Sequence, residues 1–199
     1  MTNSGAFHFR TSASDPLWID AVPVGSSGGR LGMTLCPGKQ AQSLLGGPWR
    51  RDLATDLKSI SDWGASMVVT LTEPDEMVAL GISHIGSAVR DAGMEWLHLP
   101  ITDQQAPDRR FEVGWATGGP ALLGHLREGR SVVLHCRGGL GRTGTVAAWI
   151  LMAFGQEPDE AIRAVRSARR GAIETQVQVA WLQARLSEAE SALPRDGSS

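Results

Sequence analysis

The sequence predicts an α/β fold of three layers, a central, mostly parallel sheet of about five strands flanked by helices. Two observations lead there. The β-branched runs SMVVTL (66–71) and SVVLH (131–135) are apolar without alternation, as strands covered on both faces must be. Between them lie segments whose apolar residues recur at helical spacing, long enough to carry crossover connections.

Leu17–Val22 and Leu31–Leu35 read as short edge strands on either side of the flexible Gly25-Ser26-Ser27-Gly28-Gly29 loop. Asp52–Trp63 places Leu53, Leu57 and Ile60 on one helical face. Ser66–Leu71 is a buried strand, Pro74–Leu80 and Ser83–Ala92 are helical, and Met94–Leu99 is a strand that Pro100 ends. Arg110–Arg127 is a helix with Gly118-Gly119-Pro120 as a candidate break. Ser131–His135 is the next buried strand, followed by an apolar helix over Thr143–Phe154. Pro158 suits the first turn of a helix running to Arg170, and Gln176–Glu190 forms the last helix. The chain reads as a loose segment over 1–16, one domain over 17–193 and a disordered tail over 194–199. Ligands of such sheets sit outside the carboxyl ends of the strands, here just after Leu71, Leu99 and His135.

Composition narrows the function. With 19 Lys and Arg against 21 Asp and Glu in 199 residues, the chain is no polybasic nucleic-acid binder. No apolar run approaches the roughly 18 to 20 residues that span a bilayer, so no membrane partner is expected. The N-terminus lacks a basic-then-apolar signal pattern, and a cytoplasmic monomer is expected. Two cysteines far apart, Cys36 and Cys136, exclude a disulfide framework and an all-cysteine zinc site but leave room for one reactive thiol.

The informative segment is His135-Cys136-Arg137-Gly138-Gly139-Leu140-Gly141-Arg142-Thr143-Gly144, between a buried strand and an apolar helix. Its glycines let successive backbone N–H groups of Arg137, Gly138, Gly139, Leu140 and Gly141 turn inward, and the helix N-terminus beyond them favours anions. Arg142 can hold two oxygens of a phosphate at once. The same donors favour a thiolate at Cys136, and Thr143 can donate a hydrogen bond to the sulfur when it leaves. A buried structural cysteine beside a tight turn is the competing explanation, but the spacing, the arginine and the strand-to-helix context agree on a nucleophile beneath a phosphate cradle. The Gly-Lys-Ser/Thr ending of a nucleotide-binding loop is absent.

HCRGGLGRTG resembles the HCxxGxxR(S/T) signature of cysteine-dependent protein tyrosine and dual-specificity phosphatases. LCPGK (35–39), LTEPDEM (71–77), LPITDQQAPD (99–108) and GAIETQVQ (171–178) are similar, in order and spacing, to the branch of that family associated with cyclin-dependent kinases. The resemblance implies a dual-specificity-like fold, no metal or cofactor, and a phosphocysteine intermediate. It also implies a phosphorylated protein or peptide substrate, with phosphotyrosine, phosphoserine or phosphothreonine as the ester and a kinase among the candidates. It matches Gln178 to the glutamine of the family's IxTxxQ segment, where it would position water; an exposed helix residue is the equal alternative.

The leaving oxygen needs a proton, and the loop after Met94–Leu99 offers Asp103 and Asp108. Ile101-Thr102-Asp103 has the hydrophobic-x-Asp context of the family's acid, whereas Asp108 precedes a helix and reads as its N-cap. Cys136 would attack phosphorus while Asp103 protonates the leaving group, and Asp103 would then serve as base for water. His135 is either a tuner of the thiolate or a satisfied core histidine. Thr72 and Glu76 could brace Arg142, although a solvated helix position is the expected role of Glu76. Lys39, Arg109, Arg110, Arg169 and Arg170 either ring the mouth or are plain surface charge, the second being expected of each. Trp96, Trp149 and Trp181 are expected in the core, Trp49 and Trp115 nearer the surface. Cys36 is no obvious partner for Cys136. Two other functions fit the motif: the same chemistry on a phosphoinositide, an RNA 5′-phosphate or a small phosphoester, and phosphate binding without turnover. A loop with Arg137 and no lysine counts against lipids, and retention of cysteine, arginine and acid counts against a binding-only module.

Overall fold

The computed structural model describes residues 8–42 and 47–191, with side chains to Arg185. Five strands form one sheet in the order β1-β2-β7-β5-β6. Here β1 is Asp20–Val24, β2 Gly29–Thr34, β5 Ala65–Thr70, β6 Glu95–His98 and β7 Ser131–His135. Only β1 runs antiparallel, against β2; the other four are parallel, as the sequence predicts. Thr34 and Thr70 both pair with His135, and Thr70 with His98, so the four parallel strands end level with one another. The loops that follow them therefore start from one row.

Side chains alternate between two cores. Met67, Val69, Val132 and Leu134 face a core completed by Phe111, Leu122, Ile150, Leu151 and Val165. Val68 and Val133 face the other, with Leu57, Ile60, Met77, Ile85 and Val89. The first is roofed by α4 (Arg109–Arg127), α5 (Gly141–Ala153), α6 (Pro158–Ala168) and α7 (Gln176–Ser191), the second by α1 (Leu53–Asp62), α2 (Pro74–Ala79) and α3 (Ile85–Asp91). Three layers result. α4 runs unbroken through Gly118-Gly119-Pro120. A Cβ on Gly118 would collide with Leu97, so glycine there lets the helix lie close against β6, while Pro120 sits on the exposed side. α5 starts at Gly141 rather than Thr143, which places Arg142 and Thr143 in its first turn.

Two features were not expected. Gln40–Ala41 (β3) and Trp49–Arg50 (β4) form a two-stranded hairpin beside the sheet. Residues 8–16, read from sequence as part of a loose segment, are tied to that hairpin and to α1; positions 1–7 and the expected tail 194–199 lie outside the described residues. The Arg10 amide donates to the Pro48 carbonyl and the Arg50 amide to the Arg10 carbonyl, both at 2.9 Å, and Ser12 Oγ accepts the Asp52 amide, also at 2.9 Å.

A buried ion pair fastens this corner. Arg51 donates Nε and Nη2 to the two Asp56 oxygens at 2.7 and 2.8 Å, and Asp56 Oδ2 also accepts the Gly38 amide at 2.8 Å. Asp56→Ala strands the guanidinium in the interior, and an expected loss of about 3 kcal/mol follows. A urea midpoint equal to that of the parent chain would refute it.

Candidate active site

The row of strand ends delivers three loops to one place. The Leu71 amide donates to the His135 carbonyl, Leu99 to Thr70 and Ile101 to Leu71, at 3.0 to 3.1 Å, so the loops continue the ladder for one or two residues before diverging. Cys136 begins the loop after β7 and is 3% exposed. The Gly139 amide donates to its Sγ at 3.2 Å. Gly139 has φ +73°, and a Cβ there would strike the Thr34 carbonyl, so this turn requires glycine. Thr143 Oγ1 is buried and finds no partner among the described residues.

Arg142, 1% exposed, joins all three loops. Its Nη1 donates to Glu76 Oε2 at 2.5 Å and to the Ile101 carbonyl at 3.0 Å. Its Nη2 donates to Glu76 Oε1 at 3.0 Å and lies 2.8 Å from Asp103 Oδ1. Burial by itself would raise the Glu76 carboxyl, but the hydrogen bonds from Arg142 and the Glu73 amide, with the Arg142 charge, hold it below the ordinary carboxylate range. The expectation of a solvated Glu76 is thus corrected: the end of β5 and the first turn of α2 bring it under the arginine.

Arg169 is corrected in the same way. Expected as surface charge, it donates Nε to the Gly139 carbonyl at 2.5 Å and Nη2 to the Gly138 carbonyl at 3.2 Å, and it pairs with Asp20. Holding those carbonyls outward turns the amides of the next residues inward. Arg110 also has partners, Asp108 and Glu73.

Asp103 and Asp108 part company. Asp108 is the N-cap of α4, accepting the Arg110 and Phe111 amides at 2.9 and 3.4 Å. The Arg110 guanidinium and those amides hold its carboxyl below the ordinary range. Asp103 is half exposed and points to Arg142. Its loop is clasped from the other side, with Thr175 Oγ1 donating to the Gln104 carbonyl at 3.1 Å and Gln178 Nε2 to the Gln105 carbonyl at 3.2 Å. Gln178 is fully buried rather than exposed, and its Oε1 accepts the Glu174 and Thr175 amides.

Glu174 lies in the GAIETQVQ segment, but nothing in the sequence singles it out. Its Oε2 accepts the Gly141 amide at 2.8 Å, on the phosphate loop itself. Ile173 aims it there from φ +59°, a left-handed conformation rare for a β-branched residue. Arg166 holds the Ile173 carbonyl at 2.9 Å. Arg137, Gly138, Lys39, Asp103, Gln104, Glu174 and Thr175 line a cavity of about 460 Å³ over the loop.

Behind the nucleophile position, His135 Nε2 lies 2.8 Å from Thr70 Oγ1, which accepts Trp96 Nε1–H at 2.9 Å. Burial, with the His98 and Arg142 charges, lowers the imidazole from 6.5 to about 4. Protonation therefore starts near 6.5 in the unfolded chain and only near 4 in the fold. Stability is complete above pH 6.5 and falls as pH drops toward 4, by about 3 kcal/mol from this group. His135→Gln should lose less between pH 7 and pH 4 in urea titrations; identical losses would refute the assignment. Cys36 is buried in the core of the opposite sheet face, where burial pushes its thiol up, and both cysteines are free. Trp115, Trp149 and Trp181 cluster with Phe111 against the core.

Among the described residues no helix is long and apolar enough to cross a membrane, and no group of three or more His, Cys, Asp or Glu could hold a metal ion. A family model described as the DSP-PTPase phosphatase domain of Swiss Army Knife proteins matches residues 44–185. The chain belongs to this phosphatase family. The DSP-PTPase domain is 28% identical over 157 residues to rat cyclin-dependent kinase inhibitor 3, covering 76% of this chain and 69% of that protein. It superposes on a crystal structure of kinase associated phosphatase, whose catalytic-site cysteine is substituted by serine, with TM-score 0.75 at 23% identity over 89% of this chain and 98% of that one. It also superposes on PTPMT1 in complex with PI(5)P, with TM-score 0.60 at 22% identity over 81% and 94% of the two chains. The latter two establish the fold. The family carries the cysteine-based phosphatase class.

Proposed function

We propose that this domain hydrolyses phosphorylated side chains of proteins through a phosphocysteine intermediate, in a reducing compartment such as the cytoplasm. The observation that carries the reading is Arg142, a buried guanidinium gathering Glu76, the Ile101 carbonyl and Asp103 over the loop that starts at Cys136. In the first step the Cys136 sulfur forms a bond to phosphorus, the phosphorus–oxygen ester bond breaks, and the Asp103 proton goes to the leaving oxygen. In the second, water attacks phosphorus, its proton returns to Asp103 and the sulfur–phosphorus bond breaks. Loop amides other than that of Gly141, which Glu174 already holds, and Arg142 stabilise the equatorial oxygens, and Thr143 donates to the departing sulfur. Gln178 acts as a clasp on the acid loop more than as a holder of water, because its amide is already engaged.

A protein substrate is favoured by a cavity of about 460 Å³ whose acid Asp103 is half exposed, and by a loop with Arg137 as its one basic residue between Cys136 and Arg142. The name of the rat relative ties that protein to a cyclin-dependent kinase, so a phosphorylated kinase belongs among the first substrates tried. Turnover of phosphopeptides, a soluble phosphoinositide and p-nitrophenyl phosphate, all with EDTA present, tests the reading. A higher kcat/KM for phosphopeptides is expected; a higher value for the phosphoinositide would replace the protein with a lipid. Asp103→Asn is expected to lower kcat about 100-fold on phosphopeptides, where the leaving group needs a proton. Asp108→Asn should act only through the helix cap, and the reverse ranking would transfer the acid to Asp108.

A further inference from the structure

The charges around the cavity are unevenly answered. Asp103 faces Arg142, and Glu174 holds the Gly141 amide. Lys39 and Arg137 line the same cavity, and Lys39 finds a backbone oxygen instead of a carboxylate: its Nζ donates to the Arg137 carbonyl at 3.3 Å. Among the described residues no carboxylate pairs with Lys39, Arg137, Arg10 or Arg50. Aromatic rings lie against Arg10, Lys39 and Arg50 in its place. Arg10 lies 3.6 Å and Lys39 5.5 Å from the centre of the Trp49 ring, and Arg50 lies 3.9 Å from that of Phe9. Burial lowers the Lys39 ammonium, and the Arg137 and Arg10 charges lower it further. Like charges collected on a half-buried surface repel one another, and a fold normally relieves this with carboxylates of its own.

The concavities follow the cations. Arg137 is shared with a second depression of about 200 Å³, lined also by Ala41, Gln42, Leu80 and Glu76, whose carboxylate is already held by Arg142. Ala41 and Gln42 are shared in turn with a third of about 270 Å³, which reaches Phe9, Trp49 and Arg50. The shared residues set the three depressions one after another from the phosphate loop to the β3–β4 hairpin, a row termed the furrow.

We propose that Lys39 and Arg137, continued by Arg50, form a second anion subsite that reads acidic groups flanking the phosphorylated residue. The preferred substrate is then an extended phosphopeptide with carboxylate side chains, or a second phosphate, on the side that lies in the furrow. The inference rests on the phosphopeptide reading and adds the sequence class of the peptide. Attraction across a half-buried, desolvated surface raises the encounter rate and fixes the direction in which the peptide lies.

The test uses the full chain and three phosphopeptides of equal length, flanked by Asp/Glu, by Asn/Gln, or by a second phosphoresidue. Wild type is expected to favour the acidic or doubly phosphorylated peptide over the neutral one by about 10-fold in kcat/KM. Lys39→Met should bring that ratio to within about 2-fold, and Lys39→Arg should keep it. Raising sodium chloride from 50 to 500 mM should shrink it in wild type. Arg50→Gln, at the exposed far end, gives a second reading should Lys39→Met fold poorly, and a partial fall in the ratio is expected. Preference for only one of the two acidic peptides identifies the anion source and supports the subsite. Equal rates on all three peptides in wild type, or a ratio unmoved in Lys39→Met and Arg50→Gln, overturns the subsite and leaves the phosphopeptide reading standing. Turnover of p-nitrophenyl phosphate with no turnover of any peptide overturns both.

Discussion

Cys136→Ser is expected to lower kcat on p-nitrophenyl phosphate by about 10⁴-fold or more, roughly 5 kcal/mol of lost transition-state stabilisation. Serine fits the site, since it removes nothing but the size and acidity of the sulfur from a position 3% exposed. An alcohol is a far weaker acid than a thiol, and among the described residues no base hydrogen-bonds to Cys136: His135 precedes it in the strand but is buried, neutral and engaged with Thr70. The amide of Gly139, which donates to Sγ, can stabilise a negative sulfur but cannot remove a hydroxyl proton. Arg142 and the loop amides remain, so the variant should still bind orthovanadate or a phosphopeptide, a result that separates lost chemistry from lost folding. Activity above about 1% of wild type would place the nucleophile elsewhere. Cys36 could not replace it, being buried in the other core.

Arg142→Lys is the second large effect, expected at about 10³-fold in kcat/KM, or about 4 kcal/mol. A lysine keeps the charge and loses the fork. Glu76 is gripped through both oxygens while the same group reaches the Ile101 carbonyl and Asp103, and one ammonium cannot span those directions. The loss should fall on kcat as well as KM, because two phosphate oxygens are held more tightly as the bond order to sulfur changes. A variant with raised KM and unaltered kcat would assign Arg142 to substrate binding alone.

What the sequence made visible was local. Runs such as SVVLH and SMVVTL name their strands because both faces of each are covered, and helical spacing names α1. The phosphate loop is legible because its glycines, cysteine and arginine lie within one turn of chain. Asp108 as a cap could be read from its place before α4. Long-range partners could not. Glu76 and Arg142 are 66 positions apart, and Arg169 is 149 from Asp20. Only the row of level strand ends brings the first pair together. β3 and β4 have two residues each, too few for any alternation to show. Ile173 carries no residue type that announces a left-handed backbone, so the placement of Glu174 depended on its surroundings. Residues 8–16 carry no apolar periodicity, and their order comes from the hairpin they touch.

The hub at Arg142 also constrains how this domain can change. One guanidinium satisfies acceptors from the α2, acid and phosphate-loop segments together, so substitutions at Glu76, in the Ile101–Asp103 stretch and at Arg142 do not act independently. Grafting one of the three segments from a relative inherits a mismatch with the other two. A viable change in one of these segments therefore calls for a compensating change in another, whereas among the described residues β3 and β4 share no partner with that hub.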